Sequence, residues 1–421
     1  MIKASFVLYL VIIVFNCLIQ AQENIWEQAG DLTYGNTWAL NTDTLGRVYA
    51  SSGNFLFRST DTGNTWNLIG DFSIWGADIY DIEINRRGNI FLAASDGFGV
   101  FRSTDDGKSW EGLYDGLYPS ANDITIATNN DIFVASYGGV FLSTDNGDKW
   151  IDITDGIPPW PVTSIEVTDS NYIFAATDGK GIYRSSDYGL SWQEKNNGIL
   201  NIFILKISKD YTNKLYAGTD DGGSIYISTN YGDNWVLFNS GIPPYSNVWD
   251  IMPLNNYRIF ICGEILKVYT TDDGGQTWYE FNSGINNSTV LSLTYNSKDD
   301  ILFAGTYGNG VFRTVKKITS VNDEQNKIFE NHYLNQNYPN PFNASTEIKY
   351  TLAKDSYVTV KVYDMLGTEV TALVSEPQTA GNYEVNFNAN NLSSGVYIYR
   401  ITASKNGRVI YTDAKQMILM K

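Results

Sequence analysis

Short runs of four to seven residues rich in Val, Ile, Phe, Tyr and Thr follow one another down the first three quarters of the chain, separated by Gly, Asn and Asp. Some alternate, as in Val162-Thr-Ser-Ile-Glu-Val-Thr168. Others are apolar or small throughout, as in Tyr172-Ile-Phe-Ala-Ala-Thr177 and Ile301-Leu-Phe-Ala-Gly-Thr306. Runs of that length and composition, bounded by turn formers, predict strands and not helices. They come in a fixed order. A first run is followed by a more apolar second, a Gly-rich turn leads into a third such as Gly99-Val-Phe-Arg-Ser103 or Gly181-Ile-Tyr-Arg-Ser185, and a Trp opens a fourth.

Between the third and fourth runs stands a phrase of the form S-x-D-x-G-x-x-W. Ser59-Thr-Asp-Thr-Gly-Asn-Thr-Trp66 is the first copy, and Asp61, Asp105, Asp145, Asp187, Asn230 and Asp273 hold its acidic slot. The drifted copies have Asn230 for Asp and Thr271 for Ser. Trp66, Trp110, Trp150, Trp192, Trp235 and Trp278 stand 44, 40, 42, 43 and 43 residues apart. Four strands at that period predict the blades of a β-propeller. Third strands near Phe57, Phe101, Phe141, Tyr183, Tyr226, Val268 and Phe312 count seven blades, and no fourth strand follows Phe312. Residues 24–30 resemble a fourth strand, so the N-terminus is expected to complete the last blade and close the ring, removing exposed edges. In the phrase itself, Asp is expected to accept amides two residues on, with Gly supplying a positive φ. These residues therefore read as structural.

The phrase resembles the Asp-box, or BNR, repeat of sialidases, xyloglucan-degrading enzymes, sortilin-type receptors and photosystem II assembly factors, over residues 24–315. The resemblance implies a propeller; shared by enzymes, receptors and assembly factors, it names no activity.

Residues 1–21, a basic start followed by an apolar run to Ala21, read as a secretory signal peptide cleaved before Gln22; the alternative is an uncleaved anchor. A net charge of −17 and no basic cluster longer than Lys316-Lys317 argue against a nucleic-acid partner. Cys17 and Cys262 are the two cysteines, and only Cys262 survives signal removal, so no internal disulfide is expected.

The repeat stops near residue 315. Residues 316–336 are polar and read as a linker, and residues 337–421 as a second all-β unit. Its strands are expected at 345–352, 357–363, 381–387, 395–403 and 408–419, and short alternating strands at that spacing suggest an immunoglobulin-like sandwich. Asn340-Pro-Phe-Asn343, Val362-Tyr-Asp-Met-Leu-Gly367, Ser394-Gly-Val-Tyr-Ile-Tyr-Arg400 and Lys415-Gln-Met-Ile-Leu-Met-Lys421 resemble the type A C-terminal sorting domain of the type IX secretion system. Ala344 departs from the proline usual after the first of these motifs. The resemblance implies the type IX machinery as partner, export across the outer membrane of a Bacteroidota-like bacterium, and release or attachment at the cell surface.

Candidate chemistry is sparse. Sialidases need an arginine cluster on the ligand face, which is built from the loops joining fourth to first and second to third strands. Arg47, Arg86, Arg87 and Arg258 fall in the opposite turns, and Arg58, Arg102, Arg184 and Arg313 on third strands. A glycoside hydrolase needs two spaced carboxylates; Asp81, Asp123 and Asp250, near the starts of first strands, are the runner-up candidates and are expected to ring the channel mouth. His332, the one histidine, lies in the linker, and no cofactor or metal is expected, although the acidic turns at 220–223 and 272–275 leave calcium open. The ligand face reads instead as aromatic, with Tyr34, Trp75, Tyr118, Trp160, Tyr245 and Trp249 in its loops. Such side chains suit sugar rings or a protein partner, or else they only cover the blade tops. The chain thus reads as a secreted, non-catalytic binding propeller; a glycan-cleaving enzyme is the alternative.

Overall fold

The computed structural model describes residues 24–318, apart from 33, 34, 96, 221, 256, 286 and 287, and residues 333–420, apart from 338, 353, 380, 406 and 407. The expected signal peptide, Tyr34 and His332 therefore lie outside the described residues. The chain divides between Ile318 and Thr319 into two compact units, each all-β among the described residues.

The first unit holds seven four-stranded antiparallel sheets, each in simple meander order except the last. The second blade, Ile79–Ile84, Ile90–Ala94, Gly99–Ser103 and Glu111–Leu113, is representative. Every second strand is buried along its length, save Ile301 at the start of the last, because its two faces pack on two neighbouring blades; this is why those runs lack alternation. In the last sheet the outer strand comes from the other end of the chain. Trp26, Glu27 and Gln28 pair with Thr314, Arg313 and Phe312, and Arg313 Nε donates to Glu27 Oε1 at 2.8 Å. The ring is closed by the N-terminal strand, as the missing fourth run requires.

The repeated phrase is a turn wired the same way six times. The Ser or Thr hydroxyl accepts the Gly amide four residues on, for instance Gly63 to Ser59 at 2.8 Å and Gly275 to Thr271 at 2.9 Å. The same hydroxyl donates to the acidic Oδ1, which in turn accepts an amide four residues on, Thr65 to Asp61 and Ser191 to Asp187 at 2.9 Å. The expected reach of two residues is thus corrected to four: the side chain spans the whole turn. Asn230 and Thr271 keep the acceptor and the hydroxyl, so the drifted copies lose nothing. The Ser109 hydroxyl and amide hold the Asp105 carboxyl down to about 2.

These turns also join blades. Trp66, Trp110, Trp192, Trp235 and Trp278 each donate from Nε1 to a carbonyl of the preceding blade, at Ala29, Ile69, Ile153, Lys195 and Phe238. Trp26 does the same to Phe281 at 2.6 Å, filling the seventh place. The third-strand arginines reach the other way. Arg102, Arg184 and Arg313 donate to the Asn146, Tyr231 and Thr62 carbonyls at 2.6 Å, and Arg58 to Asp106 at 3.3 Å. All four acceptors are the left-handed residues of the next blade's turn, with φ between 55° and 67°. Arginines that lie on the wrong strands for a sialidase are blade-to-blade clamps.

The propeller runs slightly beyond 315: Ile318 is buried, its amide reaches the Asp300 carbonyl and its own carbonyl accepts Arg258 Nη1. The second unit begins earlier than 337, since Tyr333–Leu334 pairs with Tyr350 and Thr351. It has two antiparallel sheets, one holding Tyr333–Leu334, Ser345–Leu352 and Gly381–Asn388, the other Glu369–Gln378, Ser356–Tyr363, Gly395–Lys405 and Arg408–Leu419. The five expected strands are present. The strand Glu369–Gln378 was hidden because it is an edge strand that is nowhere fully buried, and it contains Pro377. Ile348, Tyr350 and Leu352 alternate inward against Val358, Val360 and Val362. Three of the quoted motifs contribute to the core, while 362–367 buries Val362 and then turns outward with Met365 and Leu366 exposed: Phe342 is buried and its backbone brackets the last strand through Ile418 and Met420, and the buried Tyr399 hydroxyl joins Asn335 to Asn337. Ala344 has φ 65°, a conformation closed to the proline it replaces.

Candidate functional site

The first strand of each blade is innermost. In five blades it carries a bulge, at Ile79/Asp81, Ala121/Asp123, Val162/Ser164, Ile204/Lys206 and Val290/Ser292. The extra residue re-aims the side chain after it. That position is held by Asp81, Asp123, Ser164, Lys206 and Ser292, with Asp250 equivalent by register, and all of these but Lys206 stitch their blade to the next. Asp81 accepts the Ile124 amide at 3.1 Å, Asp123 the Ile165 amide at 2.8 Å, and Asp250 the Leu293 amide at 2.8 Å. Ser164 accepts the Ile207 amide and Ser292 donates to the Thr37 carbonyl.

The three aspartates expected at the channel rim thus converge in the channel, each hydrogen-bonded to a neighbouring first strand. Lys206, from the fifth blade, reaches across the fourth to Asp123 of the third at 2.9 Å, which shows how closely these side chains meet. Burial opposes its charge, but Asp123, Asp81 and Asp250 together outweigh that and raise its proton affinity. Two residues along the same strands stand Glu83 and Glu166. Burial, followed by the Asp123 and Glu166 charges, pushes Glu83 up to about 8. Burial likewise raises Glu166 to about 7 against the pull of Lys209. Asp81 is raised well above the carboxylate range by burial and by Asp123. Glu83, Glu166 and Lys206 are channel residues that sequence reasoning missed. Their signal is positional: Lys206 stands at the bulge position of its first strand, and Glu83 and Glu166 two residues beyond it on theirs.

The channel mouth is aromatic. Trp38, Tyr80 and Trp249 sit one residue before the stitching position of the first, second and sixth blades. Trp38 meets Tyr80 edge-on at 6.0 Å and Trp249 at 6.2 Å. The last contact joins blades that are not adjacent, so the two indoles reach over the inner strand of the seventh blade. Trp38 and Tyr80 were also missed, although an aromatic directly before an Asp recurs at Tyr80 and Trp249.

The remaining aromatic candidates stay on separate loops of the same face. Trp75, 46% exposed, leans on Phe72 and Phe101 at 6.1 and 5.5 Å, so it covers its blade with one side. Trp160, 43% exposed, carries the Lys180 ammonium over its ring at 5.1 Å. Tyr245 is 75% exposed with φ 62°, and Tyr118 is also exposed. Among the described residues no group of three His, Cys, Asp or Glu side chains is placed to hold a metal ion, and no helix is long and apolar enough to cross a membrane. Cys262 is fully buried, and burial raises its thiol, so it is an unreactive core residue.

The profile of the Sortilin-Vps10 family (sortilin, neurotensin receptor 3) matches residues 180–412, more than half of the chain. The chain belongs to the Sortilin-Vps10 family. None of the curated proteins matches it in sequence. Among solved structures it is similar to YCF48 bound to a D1 peptide, with 17% identity, TM-score 0.56, and 71% of this chain and 97% of that one covered. It is also similar to PorZ of Porphyromonas gingivalis, described as an essential surface component of the type IX secretion system. That match has 16% identity and a TM-score of 0.53, covering 92% of this chain and 60% of that one. A third is the extracellular domain of the hybrid two-component system BT3049 of B. thetaiotaomicron, at 11% identity and TM-score 0.59, covering 94% and 57%. At such identities the likeness establishes the fold, an all-β propeller, and no more.

Proposed function

We propose that this protein is an extracellular binding propeller that takes a glycan or protein ligand on its aromatic face and leaves the cell through the type IX secretion system by means of residues 337–421. The observation that carries the binding reading is the gathering of exposed or half-exposed aromatics (Trp38, Tyr80, Trp249, Trp160, Tyr245) on one face of a ring whose blades are stitched rigidly together. A rigid scaffold lets such loops bind without first ordering them. The export reading rests on the four motifs of the C-terminal unit and on similarity to PorZ, a surface component of the type IX secretion system of Porphyromonas gingivalis. A glycan array together with pull-down tests the first; a ligand that binds equally well after Trp160→Ala and Trp249→Ala would refute it. Mass spectrometry of secreted protein tests the second, which predicts loss of the C-terminal unit; a retained tail would refute it.

The hydrolase alternative keeps one supporting observation: Glu83 and Glu166 hold protons near neutral pH, as a general acid must. Turnover of a polysaccharide panel, abolished by Asp81→Asn, Asp123→Asn or Asp250→Asn in a folded variant, would favour it over simple binding.

A further inference from the structure

The second unit is a sandwich with one side left open. Its smaller sheet ends on Gly381–Asn388 and its larger sheet on Glu369–Gln378, two strands that follow one another in the chain yet lie in different sheets. Burial is incomplete where they face each other: Val370, Leu373, Val374 and Leu392 pack on the core and stay half-buried. Between the two strands lies a groove of about 430 Å³, lined by Val370, Leu373, Leu392 and the buried Phe387, with the amides of Asn388 and Asn391 beside them.

The end strands of this unit differ in how they are guarded. Glu369–Gln378 bulges twice, since its pairing with Ser356–Tyr363 skips Leu373 and Val370, and Pro377 removes one edge donor. Arg408–Leu419, at the other end of the larger sheet, is bracketed by Phe342, and the Asp413 carboxylate accepts the Ala414 amide at 2.7 Å. Gly381–Asn388 has none of these devices. It pairs with Ser345–Leu352 along its whole length without a shift, contains no Pro, Lys or Arg, and has no strand on its other side among the described residues. A long regular edge of this kind is a template for another strand, and proteins ordinarily blunt it.

An unguarded edge, half-buried apolar side chains and a groove thus meet on one side of the unit. A lipid or a sugar would fill the groove and leave the backbone row unpaired. An added strand answers all three features, pairing with the edge while every second side chain enters the groove. Charge narrows the occupant further: Glu369, Glu376 and Glu384 stand exposed on the two end strands, neither of which contains a Lys or Arg. We propose that Gly381–Asn388 accepts an extended segment of a partner protein as a further strand of the smaller sheet, apolar at alternate positions and basic at its ends. The geometry of the second unit supports this without the export reading, so either can fail alone.

The test uses the full chain and three capped octapeptides. One alternates Val and Ile with Thr between terminal lysines, one has the same composition with its apolar residues consecutive, and one has glutamate for lysine. Calorimetry should give the alternating lysine peptide at least about tenfold higher affinity than the scrambled one, and about threefold or more over the glutamate one at low salt. Hydrogen exchange read by mass spectrometry should show new protection over 383–388 and 370–374 and none in the propeller. Leu373→Lys should weaken the lysine peptide about tenfold, whereas Leu373→Ile should leave it nearly unchanged. Should the lysine variant fail to fold, Glu384→Lys with Asn386→Lys, both exposed, should abolish the advantage of the lysine peptide over the glutamate one. Equal affinity for all three peptides, protection that falls on Arg408–Leu419 instead, or binding indifferent to every variant overturns the proposal. A stable dimer in sedimentation that the alternating peptide does not dissociate overturns it as well, because a second copy then holds the edge. Absence of binding by any peptide up to its solubility limit overturns it likewise.

Discussion

Removing the Asp123 carboxylate should uncouple three blades at once. The side chain is 4% exposed and accepts the Ile165 amide at 2.8 Å, the Ser164 hydroxyl at 2.6 Å and the Lys206 ammonium at 2.9 Å. Asp123→Ala leaves a buried amide without its acceptor, at a cost of about 1–3 kcal/mol. It also breaks a buried ion pair, for which single-partner losses run to about 3–5 kcal/mol. Asp81 and Asp250 still act on Lys206 and hold the total toward the lower end. The expected loss is about 4 kcal/mol, or roughly 6 °C in melting temperature for a unit of this size. Lys206→Met added to Asp123→Ala removes the stranded ammonium, so the double variant should recover about half of the loss. Urea titration followed by tryptophan fluorescence, on all four corners of the cycle, measures both quantities. A single variant within about 0.5 kcal/mol of the parent, or a strictly additive cycle, would refute the stitching argument. It would also revive a working role for the carboxylate, since catalytic groups are commonly held at the expense of stability.

Glu83→Gln should change how stability depends on pH. A carboxyl held at about 8 in the folded chain against 4.5 unfolded binds more protons when folded, so its contribution is full below pH 4.5 and is lost as pH rises through 8. The variant should be close to the parent in stability at pH 5 and more stable than it at pH 9, by up to about 5 kcal/mol; a constant offset at both pH values contradicts the assignment. Deleting residues 24–30 removes the closing strand and the buried Trp26, and should lower the melting temperature by more than about 10 °C with loss of cooperativity; an unchanged calorimetric transition refutes closure. Ser185→Ala takes the acceptor from the Gly189 amide and the donor from Asp187, and should cost about 1–2 kcal/mol in a chemical melt; no change would mean that the turn is held by backbone alone. Trp160→Ala, by contrast, should leave the melt within about 2 °C while abolishing ligand capture, and a drop of many degrees would class Trp160 as blade cover.

The sequence alone determined the architecture of this protein, and a local reason explains how. The Ser–Asp–Gly–Trp turn is wired entirely within eight residues, so its six copies announce themselves at any blade, and the period between them sets strand count, blade number and the need for a closing strand. Alternation in 345–352 and 357–363 exposed the second unit in the same way. What escaped were features written across blades. The Asp81, Asp123 and Asp250 side chains looked like chemistry because their partners, the Ile124, Ile165 and Leu293 amides, lie some forty residues on. Trp38 and Trp249 are more than two hundred positions apart and meet only because the ring closes. Glu83 and Glu166 acquire their proton affinity from a channel that no single repeat contains. Local hydrogen bonding fixed the blades; only ring closure, which brings one side chain per blade to a common axis, decided where charge and aromatic surface would lie.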